Sequence, residues 1–290
     1  MSLALSSGAN IALLPASITG VAGQPLSPLM ATGLHVDSLD WLTYHCSMVD
    51  PLTRAFADMN DLITPEHQDF HALERLYASR FSCRGFRQRP VPRETIEEIV
   101  QLAQRTASWC NAQPWRLVIT TGAATDRFRE VMLQAAEREP AAPDFPWPRE
   151  YRGVYQERRR ECGLGLYASV GIAKGDREAS ARQGMENYRF FGAPHVAMVT
   201  SDEALGVYGA IDCGAYVGSF MLAARSLGVA CIAQAALASR PAVVRQHFGL
   251  PKDRVVICGI SFGYEASSHP ANGFRTSRAS AADVVTWVND

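Results

Sequence analysis

Ser108-Trp109-Cys110-Asn111-Ala112-Gln113-Pro114-Trp115 packs a hydroxyl, two carboxamides and two indoles into one short junction. Upstream, Pro92 stands where the first residue of a helix belongs. Ile96, Ile99, Val100 and Ala103 follow as an apolar stripe at three- and four-residue spacing, so a helix ending near Ser108 is expected. Downstream, Trp115 to Thr121 (WRLVITT) is β-branched enough for a strand. The octet therefore marks the point where a helix hands over to a strand. A junction capped by its own hydroxyl and packed by its tryptophans would use these residues. So would a ligand site, because Asn and Gln each offer both a donor and an acceptor.

Outward from this point the elements keep mixing. His71 to Tyr77 reads as a short amphipathic helix running into Arg80-Phe81-Ser82-Cys83-Arg84. Residues 139 to 152 carry four prolines with Phe145, Trp147 and Tyr151, an irregular aromatic loop, and a basic helix-like stretch with Arg158-Arg159-Arg160 follows. His195 to Thr200 (HVAMVT) is a second strand. Tyr208 to Leu227 is a long, nearly neutral helix with Ala210, Gly214, Ala215 and Gly218, expected to be buried on most sides in a core or at a subunit interface. Val229 to Ile232 suggests a short strand, and Pro241 to Phe248 a helix with Pro at its start and Gly249 at its end. Arg254 to Phe262 (RVVICGISF) is the clearest buried strand. Scattered strands among many helices predict an α+β fold, a sheet flanked by helices. Residues 1 to 65 differ: Arg54 is the first Lys or Arg, Pro15, Pro25 and Pro28 interrupt them, and no periodicity is sustained. They are expected to be an N-terminal extension, with Met48 and Met59 as alternative starts, ahead of a domain over 66–290.

The totals exclude several classes. With 290 residues, 47% hydrophobic and 20% charged, the chain has the composition of a globular protein. A formal net charge of -1 gives no general attraction to nucleic acid or anionic membrane. Only Lys174 and Lys252 are lysines among 28 basic residues, so a local arginine cluster is weak testimony by itself. The seven cysteines are odd in number and include no C-x-x-C pair, which fits neither a disulfide framework nor a zinc site and favours a reducing, cytoplasmic setting. No uninterrupted apolar run approaches a membrane span, and the start lacks the basic region of a targeting peptide.

Three separated segments can carry chemistry. Arg80-Phe81-Ser82-Cys83-Arg84 offers two guanidinium groups, a hydroxyl and backbone amides for a phosphate dianion, or else is a solvated basic turn. The carboxamides of Ser108 to Trp115 suit the alternating C=O and N–H edge of a flavin pyrimidine or the hydroxyls of its ribityl chain. Asn272-Gly273-Phe274-Arg275-Thr276-Ser277-Arg278 adds a second arginine pair beside small hydroxyls, or else is a solvated tail. In this order, R-x-S-x-R, S-x-x-N-x-Q-P-W and N-x-x-R-x-x-R resemble the FMN-dependent nitroreductase family. Asn187 to Pro194, Ile232 to Leu237 and Cys258 to Tyr264 also resemble segments of it, and the likeness covers roughly residues 70 to 290.

The resemblance implies a nitroreductase-like mixed sheet with FMN at a homodimer interface. Arg80, Phe81, Ser82 and Arg84 match the cofactor-binding segment, with the phosphate and pyrimidine contacts assigned to Arg80, Ser82 and Arg84. Ser108 and Asn111 match the motif lining the flavin from the other subunit. Ala235 and Ala236 fall where backbone amides approach flavin N5. Arg278 matches a late phosphate arginine, with Arg275 beside it, and Asp212 takes a helix position that faces the flavin or is a hydrogen-bonded structural Asp. Ala233 stands where many relatives have proline, and residues 1 to 65 have no counterpart. Because every flavin motif lies after residue 79, removing residues 1 to 58 is expected to leave cofactor binding intact, unless the arm wraps the partner subunit. The implied activity is transfer of electrons from NADH or NADPH to a small electron-poor acceptor by a ping-pong cycle. No protein acid or base is dedicated to it, because the flavin carries the chemistry. The aromatic loop of Phe145, Trp147 and Tyr151 is the candidate acceptor wall. Quinone reduction, reductive dehalogenation, flavin breakdown and non-catalytic flavin binding stay open on the same scaffold.

Two other patterns fail on context. Gly259-Ile260-Ser261-Phe262-Gly263 satisfies G-x-S-x-G, but no helix follows and too little chain remains for an acid and a histidine. Gly163-Leu164-Gly165 imitates a dinucleotide fingerprint, but a charged helix rather than a strand precedes it.

Overall fold

The architecture follows from one strand. In a computed structural model describing residues 67–289, β2 (His195–Asp202) is buried at every residue but its last. A strand covered on both faces reads as a continuous apolar run, as HVAMVT does. β2 lies between β1 (Arg116–Thr121) and β4 (Arg254–Gly263), and β3 (Ala230–Gln234) lies beyond β4, giving the order β1-β2-β4-β3. All three pairings are antiparallel: Ile119 faces Ala197, Ala197 faces Ile260, and Ile260 faces Ala233. A parallel bridge between Ser82 and Cys231 on the outer edge of β3 makes the sheet mixed.

The helices are α1 (Gln68–Ser79), α2 (Arg93–Ala103), α3 (Ala123–Arg138), α4 (Val154–Ser169), α5 (Arg177–Met185), α6 (Gly206–Ser226) and α7 (Pro241–Phe248). Successive β2 side chains point to opposite faces, and the core divides with them. Ala197 and Val199 join Ile260, Phe262 and Cys231 beneath α2 and α6. Val196 and Met198 join Ile232, Val256 and Leu237 beneath α3 and α7. Phe128, Phe190 and Phe220 are fully buried in these layers, each contributing roughly 1.5–3 kcal/mol of transfer free energy.

Local differences from the sequence expectations have local causes. Pro92 is the N-cap rather than the first residue of α2, and the helix stops at Ala103 instead of near Ser108. There the Thr106 hydroxyl donates to the Ala103 carbonyl (2.7 Å), and the Trp115 indole donates to Gln104 Oε1 (3.0 Å). α7 keeps its expected bounds, with Gly249 in the left-handed conformation (φ 63°) that ends it. α3 and α5 are helices the sequence reading passes over. The Pro-rich loop is irregular as expected, and its base is pinned. Ala142 N–H donates to Ser239 O (2.8 Å), and the Asp144 carboxylate accepts from Arg245 (2.7 Å) and from Val256 N–H (2.8 Å).

Within a single chain α6 is buried along one face. It inserts Cys213, Tyr216, Val217, Phe220 and Ala224 into the core but leaves Val207, Tyr208 and Ile211 exposed. Glu203–Ser226 is long and apolar enough to cross a membrane by length and composition, yet the face packed on the sheet identifies it as the core helix of this fold. The expected extension over residues 1–65 lies outside the described residues.

Candidate functional site

α1 ends at Arg80, whose N–H still reaches the Leu76 carbonyl (2.9 Å) before the backbone becomes extended. The chain then lies along the free edge of β3, where Cys83 N–H donates to Cys231 O (3.2 Å). Phe81 is buried, and the Arg275 guanidinium carbon stands 3.7 Å over its ring. Asn272 latches this segment to the C-terminal tail. Its Oδ1 accepts from Arg84 N–H (2.7 Å), and its Nδ2 donates to Gly85 O (2.8 Å) and Ala266 O (3.0 Å). Two predicted segments, separated by most of the chain, are thus joined by one buried carboxamide.

The charges at this junction are uncompensated. Arg93, Arg129, Arg152, Arg182, Arg189 and Arg245 each pair with a carboxylate, whereas among the described residues none pairs with Arg80, Arg84, Arg275 or Arg278. Burial pushes the Arg84 guanidinium below its ordinary value, since desolvation penalises an ion without a counterion. Arg84 and His269 line a cavity of about 350 Å³, and His269 Nδ1 is buried without a partner among the described residues. Arg278 lies farther out, turned back on Thr276 Oγ1 (2.6 Å) and Ser277 O (2.7 Å), in a cavity of about 500 Å³ with Arg158 and Cys162. Arg275 bonds the Asn272 and Phe274 carbonyls.

Ala235 and Ala236 open a 3₁₀ turn, Ala235–Ala238, directly after β3. The first amides of such a turn have no partner inside it, and Ala235 is exposed while Ala236 is half-buried. Ser82 pairs with the same strand at Cys231, so the phosphate-type segment and this turn share one edge of the sheet.

Ser108 and Asn111 form a different structure. Cys110, Asn111 and Gln113 all have positive φ (47°, 54° and 46°), a region that L-residues seldom occupy. The contortion is held by Ser108 Oγ accepting from Gln113 N–H (2.9 Å) and by the Asp212 carboxylate accepting from Trp109 N–H (3.1 Å). Asp212 therefore acts on the backbone of this turn. A relay of amides sets the orientation of Asn111. Trp115 Nε1 donates to Gln104 Oε1, Gln104 Nε2 to Gln113 Oε1, and Gln113 Nε2 to Asn111 Oδ1, each at 3.0 Å. Asn111 itself is exposed.

One chain does not bring the two halves together. α6 touches the Ser108 turn through Asp212 and the end of α1 through Arg225, which donates to Ser79 Oγ (3.0 Å). At 1.5 Å per residue, the 13 residues between 212 and 225 separate them by about 20 Å. A cavity of about 1090 Å³ between α2 and β1 includes none of the predicted site residues. Ser261 of the G-x-S-x-G pattern is fully buried within β4 and donates to Gln234, so it is no exposed nucleophile. Gly163 and Gly165 lie inside α4. Asn272 and Gln234 lie inside motif segments, and nothing in the local sequence shows which distant groups their side chains hold.

Comparisons with known proteins bear on the family and the fold. The nitroreductase family pattern matches residues 77–264. Nitroreductase NfnB of Mycolicibacterium smegmatis is 38% identical over 218 residues, covering 74% of this chain and 92% of that protein. A 4-nitrobenzoate reductase of Nocardioides sp. is 32% identical over 234 residues, covering 79% and 94%. The crystal structure of the FMN-dependent nitroreductase NfnB from Mycobacterium smegmatis in complex with NADPH aligns with a TM-score of 0.72 at 36% identity, over 76% of this chain and 99% of that one. With the family pattern, the ordered motifs and the fold in agreement, this chain belongs to the nitroreductase family.

Proposed function

We propose that the protein is an FMN-dependent oxidoreductase of the cytoplasm that passes electrons from NADPH or NADH to a small electron-poor acceptor such as a nitroaromatic, working as a homodimer. One observation carries this: Arg84 and Arg275 are both hydrogen-bonded to the buried Asn272, and the segment of Arg80, Ser82 and Arg84 shares the edge of β3 with the turn that opens at Ala235. That donor set fits a phosphate monoester at one end and a hydrogen-bond-accepting ring edge at the other. Arg80, Ser82 and Arg84 would hold phosphate and pyrimidine, with Arg275 and Arg278 closing from the tail.

Bound FMN supplies two-electron hydride chemistry, so the chain's work is to bind, orient and tune. Arg275 stacks on Phe81 and fixes the wall of the phosphate end. Arg84, desolvated and cationic, suits the negative charge that accumulates on a reduced pyrimidine. The aromatic loop is tied through Ala142 to Ser239, three residues beyond Ala236, which supports its role as the acceptor wall.

The dimer accounts for the separated halves. Ser108 and Asn111 lie about 20 Å along α6 from the arginine cluster, so a second copy is the natural source of the missing side. Trp109, Val207, Tyr208 and Ile211 are each more than half exposed around that turn, an apolar surface suited to a partner subunit. The relatives named for FMN, NADPH and nitroaromatic acids support the cofactor, donor and acceptor class. The test is an absorption spectrum of the purified protein before and after NADPH, then after a nitroaromatic, with light scattering for mass. Flavin absorbance that bleaches and returns, in a dimer, is expected. A colourless protein that ignores added FMN overturns the reading.

A further inference from the structure

The Gln234 side chain does not face the proposed flavin. It is only 3% exposed at the last position of β3, immediately before the turn that begins with Ala235. Its Oε1 accepts from the Ser261 hydroxyl (2.5 Å), and its Nε2 donates to Asn187 O (2.9 Å) and Asn187 Oδ1 (3.3 Å). Every partner is held in turn. Ser261 lies on β4 opposite Ile232, two residues from the Gly259 that faces Gln234, so both side chains project from one face. Asn187 caps the end of α5 through Nδ2 to Gly184 O (3.0 Å). Just beyond it, Phe190 and Phe191 both have positive φ (59° and 51°), a strained turn packed into the core.

The far end of the 3₁₀ turn is gripped as well. Leu237 is fully buried against the bare Cα of Gly259, where an added Cβ would lie 2.4 Å from Leu237 Cδ1. Ser239 shares a hydrogen bond with the Tyr188 hydroxyl (3.1 Å), one residue after Asn187. The turn is therefore clamped at both ends by groups that never reach its exposed side. A buried, satisfied polar network fixes geometry more tightly than apolar packing does, because each donor has one place to go.

We propose that Gln234, oriented by Ser261 and Asn187, is the positioning residue that aims the Ala235 and Ala236 amides at the flavin and thereby sets how readily it accepts hydride. This rests on the FMN reading above and goes beyond it by assigning the tuning to a side chain behind the site. The phosphate end, built on Arg80, Ser82 and Arg84, is separate from this network, so cofactor retention and cofactor tuning should part company.

The experiment compares wild type with Gln234→Leu, similar in size and without polar atoms, and with Ser261→Ala, which removes one hydroxyl and leaves Gln234 in place. Expected for Gln234→Leu are an FMN Kd within threefold of wild type and a NADPH KM within threefold. Flavin bleaching by NADPH should be at least tenfold slower. The midpoint potential should move by the equivalent of at least tenfold in the relative affinity for reduced and oxidised flavin, about 30 mV for a two-electron couple. In apoprotein, the Leu237 and Ser239 amides should exchange with solvent faster. Ser261→Ala should move each quantity the same way by less, and it carries the test alone where Gln234→Leu does not accumulate. Potential, bleaching rate and amide exchange all at wild-type values overturn the proposal. Failure of wild type to take up FMN overturns the flavin reading itself.

Discussion

Replacing Asn272 by Ala tests the connection on which the proposed site depends. Asn272 is 3% exposed and its side chain makes three hydrogen bonds, to Arg84 N–H, Gly85 O and Ala266 O. Their loss is not equal. Gly85 O keeps a second partner, Ala266 N–H at 2.9 Å, and Ala266 O keeps His269 N–H at 2.9 Å, whereas Arg84 N–H loses the only partner shown for it among the described residues. At about 1 kcal/mol for each bond lost, with more for buried groups left bare, the expected destabilisation is about 2–4 kcal/mol. For a domain of this size that lowers Tm by roughly 4–16 °C. Arg84 and Arg275 should also lose registration, because the Arg275 guanidinium donates to the Asn272 carbonyl (2.6 Å) in the same loop. FMN affinity should therefore fall even at temperatures where the variant is fully folded. Asn272→Asp separates the donor and acceptor functions. Its carboxylate can still accept from Arg84 N–H but faces two carbonyls with no proton to give, so it should be at least as destabilised at pH 7. The assays are thermal melts of apoprotein and fluorescence titration with FMN. An Asn272→Ala protein with Tm within 2 °C and FMN affinity within twofold of wild type, both about the noise of such measurements on the scale just given, would refute the latch.

Other expectations follow from the same structure. Arg80→Ala should lose about 1.5–3 kcal/mol of FMN affinity, the worth of charged hydrogen bonds, or roughly 10- to 140-fold; Arg278→Ala should lose a similar amount if the tail closes on the phosphate. Unchanged affinity in both would return these arginines to the status of a solvated surface. Burial pushes the thiols of Cys83 and Cys213 up to about 11 and those of Cys231 and Cys258 up to about 12. Iodoacetamide at pH 7.5 should therefore spare those four in the folded protein and label them after unfolding, as peptide mapping would show. His195 is buried, with its Nε2 accepting from Val91 N–H (2.9 Å), and desolvation lowers its pKa from 6.5. The unfolded chain takes up a proton near pH 6.5 while the folded chain resists, so stability is full above that value and falls as pH drops below it. Urea midpoints at pH 7.5 and 5.5 should show a smaller acid loss in His195→Gln, and equal losses would remove His195 from the account.

The sequence made the sheet legible because its central strands are buried on both faces. HVAMVT and RVVICGISF are continuous apolar runs, and such runs have few alternatives to a core strand. α7 was legible from its punctuation, Pro241 and Gly249. α3 carries Phe128, Met132 and Ala135 on one buried face, but charged residues around them dilute the stripe. α5 buries no residue at all, so its sequence had no core stripe to show. α6 was expected to be covered in a core or at a subunit interface, and within a single chain only the face carrying Tyr216 and Phe220 is covered, with Ile211 exposed.

The site divides along a similar line. Residues proposed to meet a ligand announce themselves by type, and arginine, serine and asparagine in ordered motifs led to Arg80, Ser82, Arg84 and Asn111. Residues that hold those residues in place do not, because their partners are distant in sequence and often backbone atoms. Asn272 acts on Arg84 across 188 positions, and Gln234 acts on Ser261 across 27. Asp212 shows the ambiguity at its sharpest. Its position fits a group facing the flavin, yet its carboxylate is spent on Trp109 N–H, holding a turn with three residues at positive φ. Strain of roughly 1–3 kcal/mol per residue persists only where neighbours over-determine it, and Asp212, Ser108 and Gln113 do so here. The turn they maintain projects Trp109 and Asn111 outward, about 20 Å along α6 from the arginine cluster. A single chain gains nothing from stabilising that shape at its surface, whereas a second copy placing it over the first copy's Ala235 turn would. In the proposed dimer the strain would belong to the pair of chains, and one chain's periodicity does not contain it.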